Sequence, residues 1–143
     1  MSSAAADPRR VVYLDSSAIV KLVIREHETD ALEVHVRNAD LVSSELAEIE
    51  VPRAAFLRTT RKESIARAEA VLRRFSLVAL DDELRRQAAR ARPPDLRSLD
   101  AVHLVSCLRL ADQLDSVVCY DRRLAAALGA GGLRVEAPVD TPR

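Results

Sequence analysis

Residues 11–20 read Val-Val-Tyr-Leu-Asp-Ser-Ser-Ala-Ile-Val, and this stretch decides the fold. Val11 to Leu14 is a short β-branched apolar run without polar alternation, the pattern of a strand covered on both faces. Asp15 ends the run, and from Ser16 the apolar spacing turns helical, so a buried strand feeds straight into a helix. The same order recurs at Val117-Val118-Cys119-Tyr120-Asp121, with a helical pattern over Leu124 to Leu128 behind it.

Working outward, Thr29 to Asn38 reads as a surface helix and Leu41-Val42 as a brief strand. Ser43 and Ser44 are N-cap candidates for a helix carrying Leu46, Ile49, Glu50, Phe56 and Leu57, which Pro52 should kink or restart. Ser64 is expected to cap a helix with Ile65, Ala68, Val71, Leu72 and Phe75 on one face, before a strand at Leu77 to Leu80. Asp81 or Asp82 then caps a helix to Arg92 that Pro93-Pro94 stops, and Ser98 caps one carrying Leu99, Val102, Leu104, Leu108 and Leu110. Gly129 to Gly132 is the break before a last strand at Leu133 to Val135. Helices alternating with continuously apolar strands predict an α/β protein of three layers, α/β/α, around a central, mainly parallel sheet.

The 143 residues suit a single domain with one core. Its ordered part is expected over about residues 10–136, with looser ends at about 1–9 and 137–143. A composition 48% apolar and 31% charged, with three Gly, excludes an intrinsically disordered chain. Cys107 and Cys119 lie in apolar runs without a second pair or C-x-x-C spacing, so both are read as small core residues rather than as a disulfide framework or zinc knuckle. The opening MSSAAADPRR lacks the apolar stretch of a signal peptide, and no run is long enough to span a membrane, which makes a cytosolic location the expectation.

A net charge of zero offers no argument from basicity for a nucleic-acid role, but the charges are unevenly spread. Residues 1–50 carry five Lys or Arg against ten Asp or Glu, residues 53–97 carry twelve against six, and the remainder from 98 carries five against six. An acidic third beside a basic middle suits an enzyme that holds cations and grips phosphates, and it also suits ordinary solvated helix faces.

Two predicted strands end in aspartate, Asp15 and Asp121, and in an open parallel sheet ligands bind at the carboxyl ends of strands near the switch in strand order. Each can be simply the N-cap of the helix behind it; as a pair on one rim they would raise each other's proton affinity unless a cation compensates them. Glu50 interrupts the apolar row of Leu46, Ile49 and Val51, and Asp100 follows Leu99 in the first turn of an apolar helix. Such acids are either turned to solvent or set there for a site. His27 and His35 fall in surface-like stretches, and His103, three residues past Asp100, is either a contact to bound water or substrate there or, the preferred reading, a partly buried packing histidine.

Residues 13–22 (YLDSSAIVKL), 43–51 (SSELAEIEV) with Arg53 beyond, 98–104 (SLDAVHL) and 119–124 (CYDRRL), in this order and at these separations, resemble the PIN-domain family in its VapC branch. The resemblance spans residues 11 to about 136. It implies that Asp15, Glu50, Asp100 and Asp121 form an acidic quartet holding Mg²⁺ or Mn²⁺, with Ser17 as the small hydroxyl residue that supports the first aspartate. Glu45 and Glu48 compete for the glutamate role; Glu50 is chosen because the family's glutamate stands just before a Val or Leu and shortly before an Arg. Two departures are Pro52 inside the helix after Glu50, and Cys119 where the family often has Thr.

The resemblance further implies an endoribonuclease toxin leaving a 5′-phosphate and a 3′-hydroxyl, with one or two metals both open, a small antitoxin as partner, and usually a homodimer. Oxygen-only ligands suit hard cations, which acidify a water and neutralise charge on a scissile phosphate. RNA backbone would be gripped from two basic segments, one with Arg53, Arg58, Arg61, Lys62, Arg73 and Arg74, the other with Arg85, Arg86, Arg90, Arg92 and Arg97. Arg73, Arg74, Arg85 and Arg86 are the RNA-binding candidates, and four aromatics (Tyr13, Tyr120, Phe56 and Phe75), mostly within apolar runs, leave little for base stacking. Two other classes compete. A haloacid-dehalogenase-type phosphatase needs a second Asp where Ser17 stands, and a catalytically silent scaffold for RNA or protein would need to have lost acids that are all present.

Overall fold

The computed structural model describes residues 8–141, so the looseness expected of 1–7 and 142–143 lies outside the described residues; 8–10 and 137–141 carry no regular structure. The elements run β1 (Val11–Leu14), α1 (Ser16–Val23), α2 (Thr29–Val36), β2 (Asp40–Ser44), α3 (Ala47–Thr59), α4 (Lys62–Leu72), β3 (Phe75–Val78), α5 (Asp82–Ala89), α6 (Ser98–Arg109), β4 (Ser116–Val118), α7 (Arg122–Ala130) and β5 (Val135–Glu136). All five strands are parallel, in the order β3-β2-β1-β4-β5. The chain works outward from β1 on one side and returns to its other side at β4, which makes the gap between β1 and β4 the switch point of the sheet.

Strand alternation explains why β1 reads as continuously apolar. Val12 and Leu14 face one layer, with Ile19, Leu32, Val51 and Leu72 from α1 to α4. Tyr13 faces the other, with Leu104 and Cys107 from α6 and Leu124 and Leu128 from α7. Each fully buried Leu or Ile contributes roughly 1.5–3 kcal/mol of transfer free energy, so helices covering both faces are what make such short strands tenable. Cys107 and Cys119 are free and buried, as expected of small core residues. Among the described residues no helix is long and apolar enough to cross a membrane.

Several expected boundaries move. Ser43 and Ser44 belong to β2: the Ser43 hydroxyl donates to Leu14 O across the sheet, and α3 starts at Ala47 without a side-chain cap. Ser64 and Ser98 lie inside the first turns of α4 and α6 rather than capping them. Phe75 opens β3 instead of closing α4, because its ring is buried against the same layer as Leu72. Leu99, one of the apolar residues expected on α6, is 48% exposed. Pro52 does not restart α3, which runs through it; the carbonyl deprived of an in-helix donor belongs to exposed Glu48. Asp81 caps α5 as read, its side chain accepting from Leu84 N.

Candidate active site

In a parallel sheet every helix that follows a strand begins at the carboxyl rim, so helix N-termini gather on one edge. Asp15 is the N-cap of α1 and Asp121 the N-cap of α7; their side chains accept from Ala18 N at 2.9 Å and Leu124 N at 2.8 Å. Glu50 and Asp100 sit in the first turns of α3 and α6. Four helix N-termini, three behind strands and that of α6 behind α5, carry the four acids, each end with a partial positive charge. All four line one cavity of about 270 Å³, together with Ser16, Ser17, Arg97 and His103. Glu45 instead accepts from Leu80 N, and Glu48 is exposed.

Asp15 is 4% exposed, and burial pushes its carboxyl above the usual range against the pull of His103, Ala18 N–H and Ser17. The Ser17 hydroxyl lies 3.1 Å from both oxygens, and the Cys119 thiol lies 3.5 Å from Oδ2. Cys119 thus puts a weak S–H donor on the first aspartate, with its own titration driven far upward by burial and that charge.

Burial alone would raise Glu50, but hydrogen bonds from His103 and Ser16 outweigh it and hold the carboxyl below its ordinary value. Ser16 Oγ donates to Glu50 Oε1 at 2.7 Å, and His103 Nε2 stands 3.0 Å from the same oxygen. A carboxylate oxygen only accepts, so Nε2 carries the hydrogen, which leaves Nδ1 facing the Tyr13 hydroxyl at 2.8 Å. His103 is 2% exposed. It packs edge-on to Tyr13 and also aims Glu50, a role the packing reading missed. Its position one turn after Asp100 was the available signal, since residues three apart share a helix face.

Arg97, counted earlier only among the basic segments, enters the pocket. Nε donates to Asp100 Oδ2 at 3.0 Å and a terminal nitrogen to Asp121 Oδ2 at 3.4 Å. Part of the compensation expected of a divalent cation is supplied here by the guanidinium of Arg97, while His103 gives Glu50 a hydrogen bond. Among the described residues, no three His, Cys, Asp or Glu side chains are set closely enough to hold a metal ion as they stand. The donor set itself, carboxylates and hydroxyls without a free imidazole or thiolate, fits a hard cation such as Mg²⁺ or Mn²⁺.

Of the RNA-binding candidates, Arg85 and Arg86 are on α5, which begins at the same carboxyl rim as the pocket. Arg73 and Arg74 precede β3 and lie at the opposite end of the sheet. A second groove of about 850 Å³, lined by Arg85, Arg90 and Arg92 over an apolar floor, shares Ser98 and Leu99 with the acidic pocket.

The sequence matches the PIN domain family over residues 12–128. It is 40% identical over 129 residues to ribonuclease VapC46 of Mycobacterium tuberculosis, spanning 89% of this chain and 97% of that protein. It is 36% identical over 133 residues to ribonuclease VapC35 of the same species, spanning 90% and 97%. The fold resembles that of VapBC2 from Rickettsia felis bound to a promoter DNA fragment, at TM-score 0.68 and 10% identity over 90% of this chain and 98% of that one. It also resembles the sarcin-ricin loop cleaving toxin VapC20 of M. tuberculosis, at TM-score 0.66 and 14% identity over 81% and 94%.

Proposed function

The chain belongs to the PIN-domain family, and we propose from that premise that its acidic pocket is the active site of a VapC-like endoribonuclease, a toxin neutralised by a VapB-type antitoxin. The observation that carries the site is the meeting of Asp15, Glu50, Asp100 and Asp121, from four separate helix N-termini, in one cavity at the switch point of the sheet. These four would hold Mg²⁺ or Mn²⁺, which supplies Lewis acidity and neutralises charge developing on the scissile phosphate. Ser17 steadies Asp15, and Ser16 with His103 holds Glu50 in one orientation. The adjoining groove, with Arg85, Arg90 and Arg92, is the path by which RNA backbone reaches the pocket, and Arg86 extends it on α5. A homodimer and a cytosolic location belong to the same proposal.

RNA cleavage by the purified chain with Mg²⁺ or Mn²⁺, and its loss in EDTA, is the test. We expect cleavage that EDTA abolishes and excess Mn²⁺ restores. Cleavage indifferent to EDTA would refute the metal-dependent site. Folded protein without activity under any divalent condition would favour the silent scaffold, for which the occupation of the pocket by Arg97 is the specific observation. Growth arrest on expression, relieved by the antitoxin, tests the toxin role; harmless overexpression of soluble protein would count against it.

A further inference from the structure

We infer that Arg97 is the pocket's own counter-cation, displaced from Asp100 and Asp121 when a divalent ion enters and then left at the mouth to receive the RNA phosphate. The inference rests on the metal-dependent reading above. One guanidinium spans acids carried by two helices, α6 and α7, and among the described residues it is the only Lys or Arg lining the cavity. The i,i+3 pair with Asp100 stabilises α6, but helix stability does not account for the reach to Asp121 on α7. Arg97 is the N-cap of α6, the end where the helix dipole disfavours a cation, and its side chain makes no cap hydrogen bond. Burial does not account for it either, because the side chain is 74% exposed. What remains is the acids: the guanidinium bonds Asp100 on its own helix and reaches Asp121 on the neighbouring one.

Two cations compete for the same oxygens. Because Arg97 bonds Oδ2 of both Asp100 and Asp121, a divalent ion would gain those oxygens fully only as the guanidinium left them. The backbone of Arg97 is tied to α6 by the bond from Ala101 N to Arg97 O at 2.9 Å, so a released side chain stays at the rim. A polyanion approaching four carboxylates meets this positive charge first, and the planar fork matches phosphate oxygens in a bidentate pair.

The test is Mn²⁺ binding to the purified chain by calorimetry, with KM and kcat for RNA cleavage, in wild type, Arg97→Gln and Arg97→Lys. Arg97→Gln is expected to bind Mn²⁺ about tenfold tighter while raising KM several-fold and changing kcat less. Arg97→Lys, which keeps the charge, is expected to bind Mn²⁺ as wild type does. Mn²⁺ affinity in Arg97→Gln equal to or weaker than wild type, or an unchanged KM, overturns the inference. Binding of Mn²⁺ to none of the three proteins overturns the metal-dependent reading as well, and is told apart because wild type itself then fails.

Discussion

At Asp15 and Asp121 the carboxylate that lines the pocket also caps a helix, so the two roles separate under different substitutions. Asn accepts the same backbone hydrogen bond but brings no full negative charge. Asp15→Asn and Asp121→Asn are therefore expected to keep a native circular dichroism spectrum while lowering RNA cleavage by at least about 100-fold. The Ala variants should lose as much activity and, in addition, about 1 kcal/mol of stability in urea unfolding. Near-normal cleavage by both Asn variants would reduce these residues to caps. His103 offers a second separation, since its Nδ1 faces the Tyr13 hydroxyl and its Nε2 faces Glu50. Tyr13→Phe removes one buried hydrogen bond, so we expect a loss of about 1 kcal/mol together with reduced cleavage, as the ring that aims Glu50 is freed. A stability loss with unchanged activity would make the Tyr13–His103 pair purely structural.

Among elements, the common feature of the acids is their place at helix N-termini, where the dipole of each helix stabilises a nearby anion by about 0.3–1 kcal/mol. Four carboxylates in one cavity are tolerable partly for this reason. Another such aspartate outside the pocket, Asp81, ties α5 to α6: it caps α5 and pairs with Arg109 at 2.9 and 3.1 Å. The hydrogen bonds from Arg109 and from Leu84 N–H lower its carboxyl from 3.8 to about 2. A carboxyl lowered on folding contributes stability that is fully present above its unfolded value and lost as pH falls toward the folded value. Thermal unfolding of Asp81→Asn, which keeps the cap and loses the ion pair, should give a lower Tm than wild type at pH 7. The difference should shrink between pH 3.8 and about 2. A difference independent of pH would mean that the ion pair with Arg109 is not its source.

Over the whole molecule, charge is sorted between the two ends of the sheet. Arg85 and Arg86 share the carboxyl rim with the pocket, whereas Arg73 and Arg74 lie at the amino end near Glu33. Arg85→Glu with Arg86→Glu should therefore weaken RNA binding and flatten its salt dependence more than Arg73→Glu with Arg74→Glu; equal effects would mean RNA wraps both ends. On the proposed reading divalent metal would bind the folded chain and not the unfolded one, so excess Mn²⁺ should raise Tm, with about 2.7 kcal/mol of added stability at one hundred times Kd. Asp100→Asn should gain less. In EDTA this variant should be no more stable than wild type, because Asp100 is paired with Arg97 rather than left to repel its neighbours. A clearly more stable variant in EDTA would mean that Arg97 does not neutralise the pocket.

The strand-to-helix passages at Asp15 and Asp121 were legible in the sequence because a strand covered on both faces must be continuously apolar and its first polar residue marks the rim. The layers, the parallel sheet and the family followed from those local patterns and their order. Helix starts at Ser43, Ser44, Ser64 and Ser98 were misread, since a serine before an apolar row suits a cap, a strand end and a first helical turn alike, and only pairing decides. The exposure of Leu99 on α6 and the place of Phe75 in β3 were not legible for a related reason: periodicity tells that a stretch is apolar but not which neighbour covers it. Arg97 meeting Asp121 across 24 residues and His103 meeting Glu50 across 53 were decided by the tertiary structure alone. Local sequence sets what each helix end carries, and only the strand order β3-β2-β1-β4-β5 sets which helix ends share a pocket and so which charges must neutralise one another.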